Sequence, residues 1–160
     1  MIFLSIKTLH IVSAFLLFGT GLGSAFYKFM ADRNVKSGGN LEYLVMTNKN
    51  VVLADWLFTT PTVIIQPVTG IIMANMMNLP LTTPWIMLSL ILYGIAGLCW
   101  LPVVVLQIRM REISKQALRD GTVLPEQYHR YARWWFWLGV PAFMAISLVI
   151  LLMVFKSLLF

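Results

Sequence analysis

The sequence predicts an all-α membrane protein: four transmembrane helices in an antiparallel bundle. Three observations predict it. The chain of 160 residues is 59% hydrophobic and only 11% charged, whereas soluble domains are nearer one quarter charged. Four apolar stretches, about 3–29, 51–77, 84–109 and 133–158, each exceed the roughly 20 residues that cross a ~30 Å hydrocarbon core. The basic residues are also asymmetric. Segment 28–49 carries Lys28, Arg33, Lys36 and Lys49, and segment 109–133 carries Arg109, Arg111, Lys115, Arg119, Arg130 and Arg133, which is ten of the twelve Lys and Arg residues. The connection "NLPLTTP" (78–84) has none, and the other side keeps Lys7 and Lys156. The positive-inside rule then sets both long loops in the cytoplasm and both termini outside. The net charge of +6 follows topology, so it points to anionic lipid headgroups and not to nucleic acid. The four spans fill the chain and make a single domain over 1–160.

The first span has no basic start and no small-residue cleavage site, so a retained span is expected rather than a signal peptide. Its "GTGLGS" supplies Gly19-x-x-x-Gly23, a close-packing face. "KSGGN" marks a turn, and "LEYLVMTNKN" reads as a short interfacial helix. Span two holds Pro61 and Pro67. Each frees a carbonyl one turn earlier, which a neighbouring helix has to satisfy. Span three starts at Pro84 and its helical pattern continues to Asp120, where Gly121 stops it. A helix restarting near Pro125 runs into span four, with Trp134, Trp135 and Trp137 as an interfacial belt. The single cysteine, Cys99, excludes an intrachain disulfide and reads as packing.

Helical spacing puts a polar stripe on each span. His10, Ser13, Gly21, Ser24 and Lys28 share a face of span one, with Lys7 beside it. Asp55, Thr59, Thr62, Gln66 and Thr69 form the stripe of span two. Ser89, Tyr93, Trp100 and Gln107 form that of span three, and Trp137, Met144 and Ser147 a weaker one on span four. Polar groups are unfavourable in hydrocarbon, so the stripes are expected to meet in a seam. Depth at about 1.5 Å per residue suggests an outer layer of His10, Gln66, Thr69, Tyr93 and Ser147. A second layer near the cytoplasm holds Lys28, Asp55, Thr59 and Gln107, with Asp55 able to pair with Lys28 or with a loop arginine. Histidine within a span is uncommon, which singles out His10. His129 lies on the opposite side, roughly 30 Å away, so the two histidines cannot share one metal.

The strings "IKTLHIVSAFLLFGTG", "ADWLFTTPTVIIQPVTG", "LYGIAGLCWLPVVVLQIRMR" and "WFWLGVPAFMAISLVILLMVFK" resemble the bacterial integral-membrane family catalogued as domain of unknown function 2269. The resemblance covers nearly the whole chain and implies a cytoplasmic (inner) membrane location. More distantly, the Lys-x-Leu-His start of span one is similar to copper-resistance-D-like proteins, a group that includes the four-helix membrane protoporphyrinogen oxidase. That likeness implies haem b with His10 as axial iron ligand. From the stripes, Tyr93 and Gln66 are the candidates to join it, and the iron's other ligand is left among Met, Lys7, Tyr93, an open position or a second subunit. A haem-linked redox role competes with two alternatives. One is Cu(I) handling by His10 with Met73, Met76 and Met77, helped by Met87 and Met153. The other is a non-catalytic assembly subunit or transporter-like bundle using Asp55 and Lys28, acting as a homodimer or in a larger membrane complex.

Overall fold

A computed structural model describes the backbone of residues 1–159 and the side chains of 1–155. Among the described residues there are four long helices, each long and apolar enough to cross a membrane. Helix α1 is Ile2–Lys36, α2 is Leu41–Met76, α3 is Pro84–Asp120 and α4 is Glu126–Leu159. The side chain of Lys156 lies outside the described residues.

Local chemistry explains each boundary. Arg33 and Lys36 sit in the last turn of α1, where the helix dipole favours cations. Gly38, at φ 82, then reverses the chain. Asn40 caps α2 by accepting the Glu42 N–H at 2.7 Å. Within α2, Asp55–Thr59 form a π-helical turn, closed by the Thr60 N–H on the Asp55 carbonyl. Single π turns inside α-helices often accompany functional sites. Pro84 begins α3, where its missing N–H is harmless. Gly121, at φ 63, ends it in the left-handed conformation, as the sequence predicts.

The helix of span three continues to Asp120 and a new one starts at Glu126, as the sequence predicts. Residues 28–49 and 109–133 are helical except for 37–40 and 121–125. "LEYLVMTNKN" is the first part of α2, continuous with the span. The apolar window marks the lipid-crossing part of a helix, while charged residues with good helix propensity carry the same helix beyond it. Likewise only Trp134 and Trp137 are exposed, at 60% and 63%, and Trp135 turns inward at 8%. The inward face of α4 carries Tyr128, Trp135, Ala145 and Leu152, not Trp137 and Met144.

The tightest packing lies at the basic end. Ala31, Leu44, Val103, Met110, Tyr128 and Trp135 form one buried cluster there. Along the shafts, large apolar side chains such as Phe15 and Leu98 point outward, at 75% and 74% exposed. Such faces suit lipid contact. Helices α3 and α4 pack along their length, whereas the backbones of α1 and α4 stand further apart and meet through side chains such as Phe18 and Phe143. Between α1 and α4 the bundle is open.

Candidate functional site

That opening is a cavity of about 320 Å³, within the ordinary range for small-molecule sites. Leu22 of α1 and Val140 and Met144 of α4 line its mouth and are themselves exposed on the helix surface, so it faces the surrounding medium sideways. Gly21, Gly97 and Gly139 line the interior, and a Cβ on any of them meets nothing within 4 Å. Phe18 stacks on Phe143 at 4.9 Å, and Tyr93, Trp100 and Trp135 supply further aromatic wall.

The polar floor comes from α2 and α3. With the Gln107 amide oriented so that its nitrogen faces the carboxylate, it donates to Asp55 Oδ2 at 2.7 Å, and its oxygen accepts from Trp135 Nε1 at 3.1 Å. Thr59 and Trp100 lie beside Asp55. Yet Thr59 Oγ1 and Trp100 Nε1 are buried without a hydrogen-bond partner among the described residues. Asp55 is 8% exposed and has no ion-pair partner among the described residues.

Lys28 is committed elsewhere. Its Nζ sits 2.6 Å from Asp32 Oδ2, one turn along its own helix, and donates to Tyr128 Oη at 2.8 Å. The Tyr128 hydroxyl donates to Asp32 Oδ1 at 2.7 Å and also accepts from Asn48 Nδ2 at 3.2 Å. Asn48 reaches Ser114 at 2.9 Å, so side chains from all four helices meet here. This corrects the expected second layer: Asp55, Thr59 and Gln107 do gather, but Lys28 pairs with Asp32 and not with Asp55. The sequence stripes do not contain Asp32, Asn48, Ser114 and Tyr128, and Trp135, expected in the interfacial belt, joins the interior instead. The i, i+4 spacing of Lys28 and Asp32 was the available signal.

The outer layer forms in part. His10 Nδ1 lies 2.7 Å from Thr69 Oγ1. Gln66 donates to the His10 carbonyl at 2.7 Å and to Ser13 Oγ at 2.6 Å. Tyr93 donates to the Val63 carbonyl at 2.8 Å, the carbonyl that Pro67 leaves without its intrahelical donor. Lys7 is exposed and stays out of the seam. Ser147 bonds Phe143 in its own helix. Met73 is half-buried, while Met76 and Met77 are 45% and 50% exposed. The three haem candidates divide: Tyr93 lines the cavity, but His10 and Gln66 do not. A porphyrin in the cavity would find no histidine there, so His10 and the cavity are separate sites. Among the described residues no three His, Cys, Asp or Glu side chains gather to hold a metal.

Four long apolar helices with lipid-facing shafts define a multi-pass integral membrane protein. The chain belongs to the family described as predicted integral membrane protein (DUF2269), whose profile matches residues 4–157. No curated protein and no solved structure matches the chain.

Proposed function

We propose that the protein is a membrane binding module that takes a lipid-soluble molecule through the side opening between α1 and α4. The observation that carries this reading is the cavity of about 320 Å³, apolar along its walls and open to the surrounding medium between α1 and α4. The charge pattern supports placement in the bacterial cytoplasmic membrane with the basic end in the cytoplasm, against anionic lipid. The test is saturable binding of a neutral lipophilic fluorophore by purified protein. Gly97→Leu with Gly139→Leu, at two lining positions where a Cβ meets nothing within 4 Å, is expected to narrow the cavity and abolish binding while the bundle stays folded. Unchanged binding in the filled variant refutes the site.

A second reading, haem or copper at His10 with a redox role, is favoured by a separate observation. Thr69 Oγ1 sits 2.6 Å from the Ile65 carbonyl, so its one proton is spent there and it accepts from His10 Nδ1–H. Nε2 then carries the lone pair, the form in which a histidine held by its other nitrogen ligates a metal. Haem or copper would supply electron transfer at that nitrogen, while Thr69 fixes the ring. A Soret band or copper content lost in His10→Ala supports it, and loss of copper on replacing Met73, Met76 and Met77 selects copper. Colourless, copper-free protein from haem- and copper-replete cells refutes it.

A further inference from the structure

The floor of the cavity holds a carboxyl group and no counter-charge. Apart from Asp55, the one titratable group lining the cavity among the described residues is Tyr93 on α3, and beyond the lining, on the far side of Trp135, stand Lys28 and Asp32 of α1 and Tyr128 of α4. Lys28 is bound to Asp32 at 2.6 Å and to Tyr128 at 2.8 Å. Tyr93 is bound to Val63 at 2.8 Å. None of them neutralises Asp55. A carboxylate at this depth has to be neutralised by a proton or by a cation. Gln107 donates to Asp55 at 2.7 Å, and the N–H of Trp100 and hydroxyl of Thr59 are buried beside the same carboxyl. Three donors around one carboxyl favour the ionised form when a cation is present. The walls complete the recognition. Tyr93 and Trp100 present aromatic rings to the cavity, and aromatic faces attract cations, most strongly when desolvated.

We propose that Asp55 is the exchange site for a lipophilic cation, a quaternary onium or protonated amine, which enters from the bilayer and displaces the carboxyl proton. This inference rests on the cavity reading and names its ligand class. One cation binds, the Asp55 O–H bond breaks, and one proton leaves to water, so charge in the cavity is conserved. An anionic headgroup is unsuited, because the lining carries Asp55 and no Lys, Arg or His. Trp135 is less available than Trp100, since Lys28 Nζ already sits 5.8 Å from its ring centroid.

The experiment measures equilibrium binding of tetraphenylphosphonium to detergent-purified protein, from mildly acidic to mildly alkaline buffer. Its uncharged analogue triphenylphosphine oxide is run in parallel. Expected is saturable cation binding that tightens about tenfold per pH unit while Asp55 is protonated and then levels off, with pH-independent binding of the neutral analogue. Asp55→Asn weakens the cation at least about tenfold and removes its pH dependence, while the neutral analogue is retained. Asp55→Glu keeps the pH dependence. Cation binding that is indifferent to pH in the wild type, or unchanged in Asp55→Asn, overturns the proposal even if Asp55→Glu fails to fold. If the neutral analogue binds and Gly97→Leu blocks it while the cation does not bind, the cavity reading survives and the cation inference fails. If neither binds, both fail.

Discussion

Tyr93→Phe tests whether the phenol of α3 serves the proline of α2. Pro67 has no N–H, so the Val63 carbonyl lacks its intrahelical donor, and Tyr93 supplies one across the bundle at 2.8 Å. Removing the hydroxyl leaves that carbonyl unpaired. Side-chain bonds between membrane helices are worth about 0.6 kcal/mol on average and up to about 1.7. An orphaned buried group costs about 1–3 kcal/mol. The expected loss is therefore about 1.5 kcal/mol, roughly a tenfold change in the unfolding equilibrium. In a Pro67→Ala background the new N–H bonds Val63 itself, and Tyr93→Phe then costs about 0.5 kcal/mol or less, a coupling near 1 kcal/mol. Reversible unfolding in mixed detergent–dodecyl sulfate micelles measures all four corners of the cycle. Equal losses in both backgrounds refute the assignment, because the phenol would then be serving something other than the proline gap.

Other outcomes follow from the same geometry. Asp32→Ala leaves Lys28, 1% exposed, as a buried charge without its carboxylate and costs about 3–5 kcal/mol. Adding Lys28→Met recovers most of that loss in the same unfolding assay. Gly121→Ala places a Cβ at φ 63 and costs about 1 kcal/mol, seen as a lower unfolding midpoint without loss of ligand binding.

Span number, the α3 stop at Gly121 and the inward stripes of α2 and α3 were legible because each rests on a strong local signal. Those signals are apolar length, glycine at a left-handed cap, and a period near 3.6. The Thr69 contact of His10 and the gathering of Asp55, Thr59 and Gln107 followed from stripe position alone. The partner of Lys28 did not. Depth arithmetic put Lys28 level with Asp55, but a long flexible side chain takes whichever carboxylate lies on its own face, and Asp32 stands one turn away. Trp135 was misplaced for a related reason: Trp134, Trp135 and Trp137 spread over about 160° of the helix, and the belt rule does not say which edge of that arc turns inward, as Trp135 does. The cavity was not legible at all. It exists where Gly21, Gly97 and Gly139 coincide across three helices, and coincidence between distant glycines is a tertiary fact.

The isolation of Asp55 from Lys28 also makes a prediction about charge. The chain of contacts runs from Lys28 over the Trp135 ring, through the Trp135 N–H to Gln107, and on to Asp55. An indole and an amide therefore stand between the two charged systems. In the wild type Asp32 cancels Lys28 locally, and the cavity feels a carboxyl alone. Asp32→Asn removes that cancellation while keeping an acceptor for Tyr128, so the Lys28 ammonium adds positive potential to the cavity. A bound cation is then repelled and the Asp55 proton is more easily lost without help. Tetraphenylphosphonium binding should weaken several-fold on the alkaline plateau, as expected for an uncompensated like charge in a medium of effective dielectric about 20, and change little in acid, where one positive charge merely replaces another. Adding Lys28→Met removes both charges of the pair and restores wild-type affinity. If Asp32→Asn and the double variant bind the cation equally on that plateau, Lys28 exerts no field on the site, and the neutralising pair at the basic end is structural alone.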